Sequence, residues 1–154
     1  MEYLIAKWLH ILSSTFLFGT GVGSAFYMLL TSLTREPRAI AIVARNVVIA
    51  DWLFTTPTIV FQPLSGWYLM QLLGVPLASR WILWTIALYV LAGACWLPVV
   101  WMQIKMRDMA RAAAASGTAL PDLYWRYLRR WVALGAVAFA ALVVVFYLMV
   151  AKPL

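Results

Sequence analysis

Four long apolar stretches, separated by short segments that hold the charges, prolines and turn residues, dominate the pattern along the chain. A helix of ~20 apolar residues is long enough to cross ~30 Å of hydrocarbon. The pattern predicts helices over about residues 3–30, 39–73, 81–116 and 123–151. The second is too long for one span, so we expect its first ten residues, to near Asn46, to lie outside the hydrocarbon or at its interface.

The segments between these stretches carry the usual signals for helix ends. Pro37 is suited to the first turn of the second helix. The residues GVPLASR, 74–80, predict a tight connection, and Gly117 is suited to cap the end of the third helix. Short connections between consecutive helices favour antiparallel neighbours. We therefore expect one domain, residues 1–154, folded as an antiparallel bundle of four helices.

The composition indicates that lipid is the solvent of this bundle. Hydrophobic residues make up 66% of the chain and charged residues 11%, against ~45–50% and ~25% in soluble domains. A chain of 154 residues is too small to bury so much apolar surface. We therefore expect an all-α integral membrane protein, with the first stretch retained because no A-x-A-like cleavage site follows a short apolar core.

The net charge of +7 fits a membrane surface better than a nucleic acid, because the basic residues adjoin the apolar spans. Most of them flank the connections after the first and third helices: Arg35, Arg38, Arg45, Lys105, Arg107, Arg111, Arg126, Arg129 and Arg130. Only Lys7, Arg80 and Lys152 lie toward the other side. This bias predicts a multi-pass protein of the bacterial inner membrane, with both termini on the periplasmic side.

Polar residues inside the spans fall on shared helix faces. Lys7, His10 and Ser14 follow one face of the first helix. The second helix carries a polar line spaced by four, three and four residues: Asp51, Thr55, Thr58 and Gln62. Because polar side chains facing lipid are costly, we expect a polar seam between the helices. The rise of ~1.5 Å per residue places His10, Gln62 and Tyr89 in one layer of the periplasmic half.

Asp51 belongs to the cytoplasmic half by the same measure. A buried ion pair is one interpretation, with three possible counter-charges: Arg45, Arg129 and Arg130. The alternative is that the line from Asp51 to Gln62 is the path of a small transporter or channel. The G-x-x-x-G spacing of Gly19 and Gly23 predicts close helix packing, or docking of a partner.

The candidate chemistry centres on His10, the only histidine of the chain. A zinc site needs three or four N, S or O ligands, which one histidine and the single Cys95 do not supply. Haem iron, in contrast, is held by one histidine in several protein classes. Lys7 and Arg80 are candidates to contact the propionates. The alternative is a cofactor-free protein in which His10 only hydrogen-bonds Ser14, Gln62 or Tyr89.

Three segments of the chain resemble a bacterial family of predicted integral membrane proteins of unknown function, and the similarity covers the whole chain: KWLHILSSTFLFGTGVGSAFYM, ADWLFTTPTIVFQPLSGWYL and LAGACWLPVVWMQIKMRDMA. More distantly, the layout is similar to HemJ-type protoporphyrinogen oxidases and CopD-like membrane proteins. Those proteins share an early LHI, a TP with a later glycine and, in the HemJ type, a terminal VKP. The counterparts here are Leu9, His10 and Ile11, then Thr56 and Pro57 with Gly66, and VAKP at 150–153.

The resemblance implies haem b bound through His10, because the corresponding histidine of the HemJ type is implicated in haem binding. Two departures count against the oxidase activity itself. Thr85 stands where the HemJ type has a lysine, and a second histidine later in that helix is missing, which excludes bis-histidine ligation within one chain. No catalytic residue is assigned. The expected function is haem or porphyrin binding. The alternative is an accessory or scaffold protein, whose partner is a second copy in a homo-oligomer or another membrane protein.

Overall fold

Five α-helices account for nearly all of residues 1–152, which are the part of the chain that the computed structural model describes. They are α1 (Glu2–Leu33), α2 (Pro37–Ala50), α3 (Thr56–Leu73), α4 (Arg80–Ser116) and α5 (Asp122–Ala151). A five-residue π-helical segment, Asp51–Thr55, joins α2 to α3 without a break. Pro153, the last residue of the VAKP motif, and Leu154 lie outside the described residues.

Because the π-helical segment makes α2 and α3 one continuous helix, the chain has four helices that are long and apolar enough to cross a membrane. They are α1, α2–α3, α4 and α5. No strand occurs in residues 1–152. The predicted all-helical class with four membrane-spanning helices is therefore confirmed. The orientation, with both termini on the periplasmic side, stays a prediction.

The helix ends follow the local signals in the sequence. Pro37 is the first residue of α2, and the carboxylate of Glu36 accepts a hydrogen bond from the backbone N–H of Arg38. Gly74 ends α3 and Gly117 ends α4, each in the left-handed conformation with φ of 62° and 66°. Glycine adopts this conformation without a steric cost, which is why both helices stop there.

The π-helical segment has a local cause in Pro57. Proline has no backbone N–H, so the carbonyl of Leu53 cannot receive the usual helical hydrogen bond. One residue earlier, the N–H of Thr56 reaches five residues back to the carbonyl of Asp51, and the Thr56 hydroxyl donates to the same oxygen at 2.9 Å. Such widened turns frequently accompany functional sites. Here the turn holds Asp51 and Thr55 in the buried interior.

The main apolar core lies at the end of the bundle opposite the termini. It is built from the last turns of α1, from α2, from the second half of α4 and from the first half of α5. Its buried members are Met28, Ile40, Ala44, Val47, Val99, Met102, Met106, Ala110, Tyr124, Leu128 and Trp131. By its rise, α4 is about 55 Å long, so its second half extends beyond a ~30 Å hydrocarbon layer and packs along α2.

Contacts at both ends show that consecutive spans are antiparallel. Near the termini, the hydroxyl of Tyr68 donates to the carboxylate of Glu2, and Nζ of Lys152 lies 5.9 Å from the ring centre of Trp81. At the opposite end, the guanidinium of Arg35 lies 5.3 Å from a ring centre of Trp125. Both termini therefore lie at the same end of the bundle.

In the half of the bundle near the termini, the spans form two pairs. α1 packs along α3 and α4 packs along α5, whereas contacts between α3 and α4 and between α1 and α5 are sparse. No atom lies within 4 Å of where a Cβ of Gly19 or Gly23 would stand. The predicted close packing at this G-x-x-x-G spacing is therefore wrong within the chain.

Candidate functional site

His10 joins α1 to α3 through two hydrogen bonds. Its Nδ1 lies 2.7 Å from Oγ of Ser65, and Nε2 of Gln62 donates to the His10 backbone carbonyl at 2.9 Å. Cε1 of the imidazole lies 3.4 Å from the point where a Cβ of Gly66 would stand. The ring edge therefore packs close to the backbone of Gly66, where a methyl group would be in van der Waals contact, and Gln62 and Ser65 of α3 both hydrogen-bond one residue of α1.

The hydrogen bonds of Ser65 determine which ring nitrogen carries the proton. Its hydroxyl has one hydrogen, and its Oγ lies 2.7 Å from the carbonyl oxygen of Phe61 and 3.2 Å from that of Gln62. Carbonyl oxygens only accept, so Ser65 donates to its own helix and accepts from His10. The neutral imidazole of His10 is therefore protonated at Nδ1, and in this form Nε2 carries a lone pair with no hydrogen-bonding partner in residues 1–152.

Of the three predicted hydrogen-bonding partners of His10, the structure confirms Gln62 and not Ser14 or Tyr89. Ser14 donates to the carbonyl of Ile11 at 2.7 Å, and Tyr89 donates to the carbonyl of Ile59 at 2.7 Å. Gln62 meets His10, but at its backbone rather than its ring. The ring partner is Ser65, which lies three residues after Gln62. Extending the polar line of the second helix by one further step would have found it.

The two cations predicted near a porphyrin lie at the terminal end of the bundle. Lys7 is exposed, one turn from His10, and its Nζ lies 5.7 Å from the ring centre of Tyr3. Arg80 is also exposed and is the first residue of α4. Within residues 1–152 neither side chain forms an ion pair, so both can contact an anionic group at this end.

Asp51 is buried without the predicted ion pair. Its Oδ1 accepts a hydrogen bond from Thr55 at 3.0 Å, and the Gln103 side chain lies beside the carboxyl group. Its Oδ2 has no partner of good hydrogen-bonding geometry within residues 1–152. Across residues 1–152 the one ion pair joins Arg107 to Asp108 at 2.8 Å. The expected counter-charges are all exposed: Arg45, Arg129 and Arg130. Bringing a guanidinium into the apolar interior is costly, so these long side chains keep their charge at the surface.

The side chains of the polar line from Asp51 to Gln62 form hydrogen bonds within the protein. The hydroxyl of Thr58 donates to the carbonyl of Phe54 at 2.7 Å, and that of Thr55 donates to Asp51. Gln62 is committed to the backbone of His10. These contacts do not favour the interpretation of this line as a path for ions.

A second feature is a cavity of about 360 Å³ between the two helix pairs. α1, the π-helical segment, α3, α4 and α5 all contribute to its wall, which is mostly apolar. Gly21, Gly93 and Gly135, on three different helices, line it, and no atom lies within 4 Å of where their Cβ atoms would stand. The missing side chains of these glycines help to create the space.

Several residues of the cavity wall carry a buried polar atom without a partner. Five buried side-chain N or O atoms in residues 1–152 have no hydrogen-bonding partner, and Ser13 Oγ is the only one whose residue does not line the cavity. The other four are Asp51 Oδ2, Trp96 Nε1, Gln103 Oε1 and Trp131 Nε1. Of these residues only Asp51 was predicted. Gln103, an uncharged polar residue at the end of an apolar run, carried a weak signal, and the two tryptophans carried none.

Comparison with protein families places the chain among membrane proteins. The family of predicted integral membrane proteins DUF2269 matches residues 4–153, nearly the full length. The chain belongs to this family. The match confirms the resemblance to a family of unknown function and agrees with the four spans of the structure. Searches of the curated proteins and of the solved structures found no match.

Tyr89 offers a direct test of the packing between α3 and α4 in this DUF2269 member. Pro63 has no N–H, so the carbonyl of Ile59 lacks its helical donor, and the hydroxyl of Tyr89 supplies one at 2.7 Å. We expect Tyr89→Phe to lower the free energy of unfolding by about 1 kcal/mol. Equilibrium unfolding in mixed micelles of SDS and a mild detergent measures this change.

A double-mutant cycle with Pro63 provides the control. Pro63→Ala restores an N–H that can donate to Ile59, so Tyr89→Phe should cost less in that background. An equal cost in both backgrounds would show that the Tyr89 hydroxyl does not substitute for the missing helical donor.

Proposed function

We propose that this multi-pass membrane protein binds a b-type haem or a related porphyrin through Nε2 of His10, and that it acts in redox or tetrapyrrole chemistry. The observation that supports the proposal is the hydrogen bond from Nδ1 to Ser65, because it leaves the lone pair of Nε2 free. Histidines that ligate metals are normally oriented in this way, with the other ring nitrogen donating to a fixed oxygen.

The residues around His10 fit the role of an axial ligand. Ser65 holds the ring by its Nδ1–H, Gln62 holds the backbone of the same residue, and the ring edge packs close to Gly66. Lys7, one turn from His10, and Arg80, at the same end of the bundle, are the cations we expect to contact the propionates. A bound haem would supply one-electron chemistry. The distant resemblance to the HemJ type points to the same histidine, and we place the protein in the bacterial inner membrane.

Absorption spectra of the detergent-purified protein, expressed with haem precursor, test this proposal. We expect a Soret band and, after dithionite reduction, an α-band typical of b-type haem, both lost in His10→Ala. Ser65→Ala should weaken haem affinity about 10–100-fold, since it removes the oxygen that orients the ring. Ser14→Ala is the matched control, because its hydroxyl contacts only the backbone of Ile11, and its spectrum should equal that of the wild type.

Two results would contradict the proposal. One is a featureless visible spectrum of the wild-type protein after growth with haem precursor. The other is a haem spectrum that persists unchanged in His10→Ala, which would move the ligand elsewhere.

A cofactor-free accessory or scaffold protein is the second candidate, and the two hydrogen bonds that join α1 to α3 at His10 favour it. In that case His10→Ala would destabilise the packing of α1 against α3, and neither the wild type nor the variant would absorb visible light. Unfolding in mixed micelles, run beside the spectra, separates the two functions. Copurification of the tagged protein from solubilised membranes would then identify a second copy or another membrane protein as its partner.

A further inference from the structure

A groove lined by three arginines opens at the end of the bundle opposite the termini. It lies between the last turns of α1 and the first turns of α5 and has a volume of about 1040 Å³. Arg35, in the turn that follows α1, stands on one wall, and Arg126 and Arg129 of α5 stand on the other. All three side chains are exposed, and within residues 1–152 none of them forms an ion pair. One carboxylate, that of Asp122, also lines this arginine groove, so the charge that remains is positive.

The backbone of Arg35 indicates that its side chain has a role at this position. Its φ is 59°, in the left-handed region, and across residues 1–152 the other non-glycine residue with a positive φ is Lys152. Glycine adopts this conformation after a helix without the steric cost that arginine bears. The guanidinium of Arg35 lies 5.3 Å from a ring centre of Trp125 on the opposite wall. The turn thus holds a cation over the groove in a disfavoured conformation, and such outliers concentrate at ligand sites.

The two walls of the arginine groove are fixed relative to each other. Tyr124 on α5 and Ser32 on α1 have no exposed surface, and their hydroxyl oxygens lie 2.6 Å apart. Leu128, which also lines the groove, belongs to the main apolar core. A groove built on a packed core keeps its shape before a ligand arrives, which lowers the entropic cost of binding.

The position of the arginines along α5 places them at the depth of lipid headgroups. Residues 131–151 carry no charge, and at ~1.5 Å per residue they span about 30 Å, the thickness of the hydrocarbon layer. Arg126 and Arg129 lie just before this stretch, at the end for which the charge bias predicts the cytoplasmic side. On the hydrocarbon side of them the groove continues between Leu29 and Val132. The groove therefore changes from cationic to apolar in the direction in which a lipid lies.

We propose that the arginine groove binds one anionic phospholipid, with its phosphate at the three arginines and the upper part of an acyl chain between Leu29 and Val132. Guanidinium groups donate paired hydrogen bonds to phosphate oxygens and keep their charge at any physiological pH. Basic pockets between membrane helices hold such headgroups in other proteins. A soluble anion would leave the apolar part of the groove empty. The site lies at the opposite end of α1 from His10, so it is independent of haem binding.

Native mass spectrometry of the delipidated full chain in detergent, titrated with palmitoyl-oleoyl phosphatidylglycerol, tests the proposal. We expect saturable binding of one molecule per chain. Phosphatidylcholine with the same acyl chains has no net charge and should bind at least about tenfold more weakly. Glycerophosphoglycerol, the same headgroup without acyl chains, should not compete at an equal concentration, which distinguishes a lipid site from a site for soluble phosphates.

Two neighbouring arginines on α5 provide the matched pair. Arg129→Gln removes a cation from the groove and should weaken phosphatidylglycerol binding about fivefold, the contribution of one arginine at an anionic surface. Arg130→Gln makes the same change one residue further along, at an exposed position that does not line the groove. Its affinity should stay within about twofold of the wild type.

Two further substitutions are expected to act in opposite directions. Arg35→Gly removes a guanidinium from the groove and supplies the residue that suits a φ of 59°, so it should weaken binding about fivefold without straining the turn. Asp122→Asn removes the carboxylate from the groove, so it should strengthen binding about two- to fivefold.

Three results would overturn the proposal: equal binding of phosphatidylglycerol and phosphatidylcholine, equal affinities of Arg129→Gln and Arg130→Gln, or competition by glycerophosphoglycerol as strong as that by the lipid. The second result would show that overall net charge attracts the lipid, and the third would indicate a site for a soluble phosphate. If Arg129→Gln does not fold, as judged by circular dichroism and gel filtration, Asp122→Asn decides. An affinity no higher than that of the wild type in this variant would also overturn the proposal.

Discussion

Tyr124→Ala is expected to lower the free energy of unfolding by about 3–5 kcal/mol. Tyr124 has no exposed surface and is the largest fully buried side chain in residues 1–152. Its hydroxyl lies 2.6 Å from Oγ of Ser32, whose own hydrogen is donated to the carbonyl of Met28, so Tyr124 is the donor. Its ring meets that of Trp125 edge to face at 5.3 Å. Alanine removes the ring and the link between α1 and α5 together.

The ring and the hydroxyl of Tyr124 can be separated by a second substitution. Tyr124→Phe keeps the ring and should cost about 1 kcal/mol, the contribution of one hydrogen bond. Tyr147→Ala, at a position on the same helix that is 67% exposed, is the matched control and should stay within about 0.5 kcal/mol of the wild type. Unfolding in mixed micelles measures all three. A loss in Tyr124→Ala no greater than in Tyr147→Ala would contradict this account of the core.

Ala110→Phe is expected to lower the free energy of unfolding by about 1–3 kcal/mol, through overpacking rather than through a cavity. Ala110 on α4 and Ala44 on α2 both have no exposed surface, and both belong to the core where these helices pack. A benzyl group at position 110 has no space to occupy unless α2 moves away from α4. The same measurement applies, and hydrogen exchange of the α2 amides would report the displacement.

Position 112 provides the control for this substitution. Ala112 lies on the same helix, two residues on, and is exposed. Ala112→Phe should leave the free energy of unfolding within about 0.5 kcal/mol of the wild type. Equal losses at positions 110 and 112 would indicate a general effect of phenylalanine on α4 rather than a tight α2–α4 contact.

These two predictions concern the well-packed end of the bundle, and the candidate sites depend on that end. Where α1, α2, α4 and α5 meet in the core around Tyr124, the helices are held together. Toward the termini the spans separate into two pairs, and His10 bridges one of them. The cavity lies about midway along the bundle, next to the core, with Val99 and Trp131 in its wall.

The apolar runs of the sequence by themselves determined the four spans, because a segment of that length and composition has few alternatives to a helix in lipid. Pro37, Gly74 and Gly117 determined where helices begin or end, since their backbone constraints are local. The polar seam was also readable, and Gln62 does meet His10 across it.

Only the tertiary structure decided which side chains form hydrogen bonds with each other. The pairing of His10 with Ser65 depends on how α1 is rotated against α3, and helical periodicity within one segment carries no information about that rotation. Trp96, Gln103 and Trp131 line one cavity because the two helix pairs diverge, which depends on packing among distant parts of the chain. Asp51 is without an arginine for the same reason, because charge along the sequence shows which side a residue lies on but not what its side chain reaches.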